Sequence, residues 1–163
     1  MTTTTPAHTA PAAQSNGATH TGSAAATTAK THAKPVPSPS PLSAPYWDGA
    51  RAGKLMLQRC SACGKVRHYP QVLCGACQSD QVEWIQSGMR GTLYSWTVTH
   101  HAFHPGFIAD LPYTLVTVDM AEGGRVLGHY RGTTPLRINL PMQLRFEPDQ
   151  QGTPVPVFDV VTA

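Results

Sequence analysis

Acidic residues, phenylalanine, tyrosine and tryptophan are missing altogether from the first 44 of 163 residues. Lys30 and Lys34 are the only charged side chains there, and Met1, Val36 and Leu42 are almost the only sizeable apolar ones. A stretch of Thr, Ala, Ser and Pro cannot bury enough surface to offset the entropy of ordering it, so residues 1–44 read as a disordered tail. Pro35, Pro37, Pro39 and Pro41 favour an extended spacer just ahead of the fold. The tail also lacks the apolar run of a secretory signal and the arginines of a transit peptide. No hydrophobic run approaches a membrane span, so the expectation is a soluble, cytoplasmic protein with no membrane partner.

Charge is scarce as well, at 13% of residues. Without the two tail lysines, ten basic residues face nine acidic ones, so the rest of the chain is formally +1. Arg51, Lys54, Arg59, Lys65 and Arg67 cluster near the first of two Cys-x-x-Cys pairs, whose four thiolates around a divalent metal would be net negative, and read as compensation for that charge. That balance argues against nucleic acid, whose binders usually carry a larger positive excess.

Cysteine is limited to four residues, Cys60, Cys63, Cys74 and Cys77, arranged as two Cys-x-x-Cys pairs ten residues apart. A two-residue spacing lets a tight turn aim both sulfurs at one point, and two such turns make a tetrahedral thiolate cage. One structural Zn2+ is expected, since a closed four-thiolate site has no open position for chemistry. Iron in a rubredoxin-like site is the alternative ion, which would make the chain an electron carrier. A disulfide framework fits the doubled spacing less well. No fifth cysteine is left to act as a nucleophile, and no Ser-His-Asp pattern or clear carboxylate pair is visible. His100, His101 and His104 cluster in sequence, but adjacent strand residues point to opposite faces, so they read as strand-end residues.

Strand, knuckle, strand, knuckle, strand over residues 45–87, preceded by a short helix around Tyr46 and Trp47, describes a rubredoxin-like zinc ribbon. It holds too few apolar residues to fold without its metal. From Gly88 the pattern is all β. Tyr94, Trp96 and Val98 alternate, Tyr113 to Met120 alternates, Gly123-Gly124 marks a hairpin, and Asn139 suits a left-handed turn. Gly128 reads as a bulge or coil. Five short strands over 88–163 point to a five-stranded OB-fold barrel, with an SH3-like barrel as the alternative. Phe103, Phe107, Ile108 and Tyr113 place apolar side chains in and beside a Pro/Gly loop. They suit a protein interface or an apolar ligand groove, or else a plug for one end of the barrel.

The stretch from Tyr46 onward resembles a bacterial and archaeal family with an N-terminal zinc ribbon and a C-terminal OB-fold, long catalogued as a domain of unknown function. The resemblance rests on Tyr46-Trp47, Gly53-Lys54-Leu55, Cys60 to Lys65, Tyr69-Pro70, Cys74 to Cys77, Gly91 to Ser95, Pro105-Gly106-Phe107 and Leu111-Pro112-Tyr113. Gly75, Gln78 and Asn139 depart from the usual pattern, and the tail lies outside it. The resemblance implies a chain that is not an enzyme on its own. It would be an accessory subunit of a thiolase-superfamily enzyme (a thiolase, an acyltransferase or a lipid-transfer-protein-like aldolase) in a hetero-oligomer that handles acyl-CoA. The alternative is a single-stranded nucleic-acid-binding OB-fold, with Tyr94, Trp96, His129 and Tyr130 as stacking residues.

Overall fold

The computed structural model describes residues 32–161. The expected tail therefore lies, up to residue 31, outside the described residues. Among those described, no helix is long and apolar enough to cross a membrane. The fold is mainly β, a three-stranded ribbon followed by a closed five-stranded barrel.

Helix α1 (Ala44–Arg51) carries Pro45 in its first turn, which the fixed φ suits, and Gly53 at φ +70 turns the chain back after it. Tyr46, Gly49 and Ala50 are its buried residues. In the ribbon, β1 (Met56–Cys60) lies between β2 (Val66–Arg67) and β3 (Val82–Gln86). Gln58 faces Arg67 on one side and Trp84 on the other.

The barrel comprises β4 (Arg90–Thr99), β5 (Tyr113–Met120), β6 (Arg125–Tyr130), β7 (Pro141–Pro148) and β8 (Pro154–Val160). A 3-10 helix (Pro105–Asp110) sits in the β4–β5 connection. Closure runs β4-β5-β6-β8-β7, with β6 and β8 parallel and every other pair antiparallel. This is the expected OB-fold. Gly123 and Gly124 take φ +99 and +79 in the β5–β6 hairpin, and Asn139 takes φ +65 before β7.

Gly128 is not a bulge. It pairs regularly with Val116, and a Cβ there would lie 2.8 Å from both the Phe158 ring and the Pro156 carbonyl. Its smallness lets the fully buried Phe158 fill the barrel, a burial that contributes about 2–3 kcal/mol. The bulge lies instead between Leu93 and Ser95, and it breaks the alternation expected for β4. Trp96 comes into register with the buried Val116, whereas Tyr94 turns outward beneath the Arg125 guanidinium, 3.3 Å from its ring centroid.

The ribbon and barrel share one core. Leu55 and Leu57 are fully buried in the same cluster as Leu93, Val118, Met142 and Phe158, and Tyr46 meets Phe146 edge-on at 6.4 Å. The ribbon thus borrows the apolar contacts its own residues lack, and the metal is not its only source of order.

Candidate metal centre and barrel groove

β1 delivers Cys60 to the first knuckle. Gly64, at φ +74, donates its N–H to the Cys60 carbonyl (2.8 Å), and Cys60 N–H reaches the Lys65 carbonyl (3.0 Å). The second knuckle repeats the turn: Gln78 N–H meets the Cys74 carbonyl at 2.8 Å, and Cys74 N–H meets the Ser79 carbonyl at 2.8 Å. Gln78 occupies the place of Gly64 and takes φ +60 despite its side chain.

The four sulfurs lie within 4.8 Å of one another, with Cys60–Cys77 at 3.6 Å and Cys63–Cys74 at 3.7 Å. A zinc tetrathiolate with bonds of about 2.3 Å has sulfur–sulfur edges of about 3.8 Å, so the set fits such an ion. Cys60 and Cys74 are buried; Cys63 and Cys77 are exposed. The Cys63 N–H, then that of Ala62, holds the Cys60 thiol below its ordinary pKa. The N–H groups of Ala76 and Cys77 bring Cys74 down to about 6. At Cys77 the Ser79 N–H pulls the same way, but the crowding sulfurs of Cys63 and Cys60 outweigh it and push the thiol up to about 12. Four thiolates this close repel unless a cation sits among them, so the cluster is a metal-binding site. His68 stands outside the cluster, half-buried against Tyr46 at 5.1 Å, and burial lowers its pKa to about 4.

The nearby basic residues are largely answered by protein groups. Arg51 pairs with Asp48 and Arg59 with Glu83. Arg67 is buried, donating to the Gln58 side chain (2.8 Å) and the Gln71 carbonyl (3.1 Å).

On the barrel, a groove of about 620 Å³ opens between residues 34–37, the 3-10 helix, the end of β6 and the β7–β8 turn. Phe107 and Tyr113 line it, with ring centroids 6.3 Å apart. Phe103 and Ile108 do not; they are 95% and 61% exposed elsewhere on the loop. Lys34, Trp47, His129 and Arg131 join the lining without having been singled out as groove residues in the sequence. Lys34 pairs with Asp110 at 2.6 Å, with its ammonium 5.4 Å from the Phe107 centroid. The sequence offered no signal for this, because Lys34 belongs compositionally to the tail. His129 packs 5.5 Å from Tyr113, and burial, then Arg131, keeps its pKa below the ordinary value. His104 caps the 3-10 helix, its Nδ1 accepting the Gly106 N–H at 3.1 Å. His100 and His101 lie beyond the end of β4.

A four-cysteine ribbon fused through a shared core to an OB-fold barrel defines the class. Two family models match in tandem, "ChsH2, rubredoxin-like zinc ribbon domain" over residues 47–83 and "ChsH2, C-terminal OB-fold domain" over 84–147. The chain belongs to this zinc-ribbon and OB-fold family. It is similar to a "Probable enoyl-CoA hydratase alpha subunit" of Thermomonospora curvata, 33% identical over 77% of this chain and 39% of that protein. It is also similar to the "3-oxo-4,17-pregnadiene-20-carboxyl-CoA hydratase alpha subunit" of Mycobacterium tuberculosis, 36% identical over 67% of this chain and 34% of that protein. The chain thus spans little more than a third of these relatives. A solved structure titled "Ltp2-ChsH2(DUF35) aldolase" superposes with a TM-score of 0.68 and 29% identity, over 78% of this chain and 100% of the matched one.

Proposed function

We propose that this chain is a non-catalytic accessory subunit of a thiolase-superfamily enzyme, helping to bind acyl-CoA and to hold the complex together. The observation that carries the reading is the likeness to the full matched chain of the aldolase structure. Relatives named as alpha subunits of CoA-thioester hydratases support a role beside acyl-CoA enzymes. The groove suits the acyl-pantetheine arm: Phe107, Tyr113 and Trp47 supply apolar walls, and Lys34 and Arg131, held by Asp110 and Glu147 at 2.6 Å each, are the cations that a phosphate would have to share with those carboxylates. One zinc at the four cysteines has a structural role, because all four tetrahedral positions are taken by the protein.

The test is co-expression of the tagged chain with thiolase-like proteins encoded beside it, followed by calorimetric titration of the purified assembly with an acyl-CoA. Expected is a stable hetero-oligomer whose acyl-CoA affinity falls with Tyr113→Ala and is unchanged by Phe103→Ala. Failure to assemble with any thiolase-like protein would sink the reading.

A further inference from the structure

The barrel closes around β4 only at its start. Arg90, Gly91 and Thr92 pair with Gln143, Met142 and Pro141, and Leu93 extends that edge through Leu140 and Asn139. From Ser95 to Thr99 the strand remains paired to β5 on one side. Among the described residues, no backbone group meets the other edge there. Tyr94 through Val98 are all exposed, including Trp96 at 40% and Val98 at 46%. Trp96 shares the register of the fully buried Val116, so β4 carries the inner face of the barrel out past the point where the barrel covers it.

Free edges invite pairing, and soluble proteins blunt them with charge, proline or shortness. The outer ribbon strand β3 follows that rule with Glu83. Ser95-Trp96-Thr97-Val98-Thr99 has none of these protections. It is also close to its own mirror image about Thr97. Antiparallel pairing of two copies on a two-fold axis would set Ser95 against Thr99, Trp96 against Val98, and Thr97 against Thr97. Aromatic with β-branched and Thr with Thr are favourable cross-strand pairs, and no like charges meet. An isologous interface needs this kind of self-complementary patch.

We propose that the free edge of β4 is a homodimer seam, joining two copies of this chain into one continuous sheet about Thr97. An unlike partner strand could satisfy the same backbone groups but would leave the self-matching of the side chains without a role. The seam belongs to the isolated chain and does not depend on any enzyme partner.

Sedimentation velocity of the full-length, zinc-loaded chain over the micromolar range is expected to show the mass of two chains. Thr97→Lys and Thr97→Glu each set like charges face to face, so each variant alone should be monomeric while keeping its zinc and its far-ultraviolet circular dichroism. Mixed in equal amounts, the two variants should dimerise again. A native chain that stays monomeric throughout overturns the seam, as do variants that dimerise like the native chain, or a mixture that stays monomeric. If the native chain is monomeric and Thr97→Lys instead abolishes assembly with a thiolase-like protein, the edge serves an unlike partner and the homodimer is wrong.

Discussion

The Glu122 carboxylate accepts hydrogen bonds from the Ser87 hydroxyl at 2.8 Å and the Gly88 N–H at 2.6 Å, tying the end of the ribbon to the β5–β6 turn. Ser87 is buried, so truncating its acceptor leaves a hydroxyl without that partner. Glu122→Ala should cost about 1–2 kcal/mol in urea unfolding at neutral pH. Burial raises the pKa of Glu122, but the Gly88 N–H and Ser87 hydroxyl outweigh it and leave the group below its ordinary value. A folded pKa below the unfolded one means stabilisation that is present above the unfolded value, about 4.3, and lost as pH falls through the folded one. The gap between native and Glu122→Ala midpoints should therefore narrow below about pH 4, and a gap that widens there would count against the contact.

Gln78 is strained where Gly64 is not. A left-handed conformation costs a residue with a side chain about 1–2 kcal/mol, and Gln78 holds φ +60. Gln78→Gly should raise thermal stability by about 1 kcal/mol or somewhat less, because glycine also loses more entropy on folding. The shift in melting temperature of the zinc-loaded protein measures it.

Gly128→Ala should destabilise by about 1–3 kcal/mol, since the new methyl must displace the Phe158 ring or the Pro156 backbone. Gly75→Ala is the control, with nothing within 4 Å of the added Cβ. Equal stability of the two variants in chemical denaturation would contradict the packing described for the barrel.

Elemental analysis should find one zinc per chain and none in Cys74→Ser. Removing the ion leaves four crowded sulfurs with no cation, and the ribbon should lose protection from proteolysis around residues 61–80 first. The barrel strands should remain protected longer, as their core is built mainly from their own residues.

Much of the architecture was legible because it rests on local signals. Cysteine spacing announced the knuckles, paired glycines announced the β5–β6 hairpin, and Asn139 announced a left-handed turn that the chain does adopt. The features that escaped are non-local. Period-two alternation placed Tyr94 and Trp96 on one face, but a single extra residue at the Leu93–Ser95 bulge sends them to opposite faces. Gly128 gave a bulge signal because a strand glycine has few other local explanations; its actual reason is Phe158, thirty residues onward. Lys34 could not be placed in a groove from a tail of Thr, Ala and Pro, because its partner Asp110 is supplied by the distant 3-10 helix. The loop aromatics divided for a similar reason: turn direction, not hydrophobicity, decides that Phe107 faces the groove and Phe103 does not.

The common core of Leu55, Leu57 and the barrel has a consequence for how such a protein can be cut or recombined. The two family descriptions meet between residues 83 and 84, inside the strand Val82–Gln86. A gene split at that point would sever a hydrogen-bonded strand and strip two leucines from beneath the barrel. Exchange between relatives should therefore preserve residues 34–160 as one heritable cassette, since Lys34 is tied to Asp110 across the groove, with crossovers tolerated outside it.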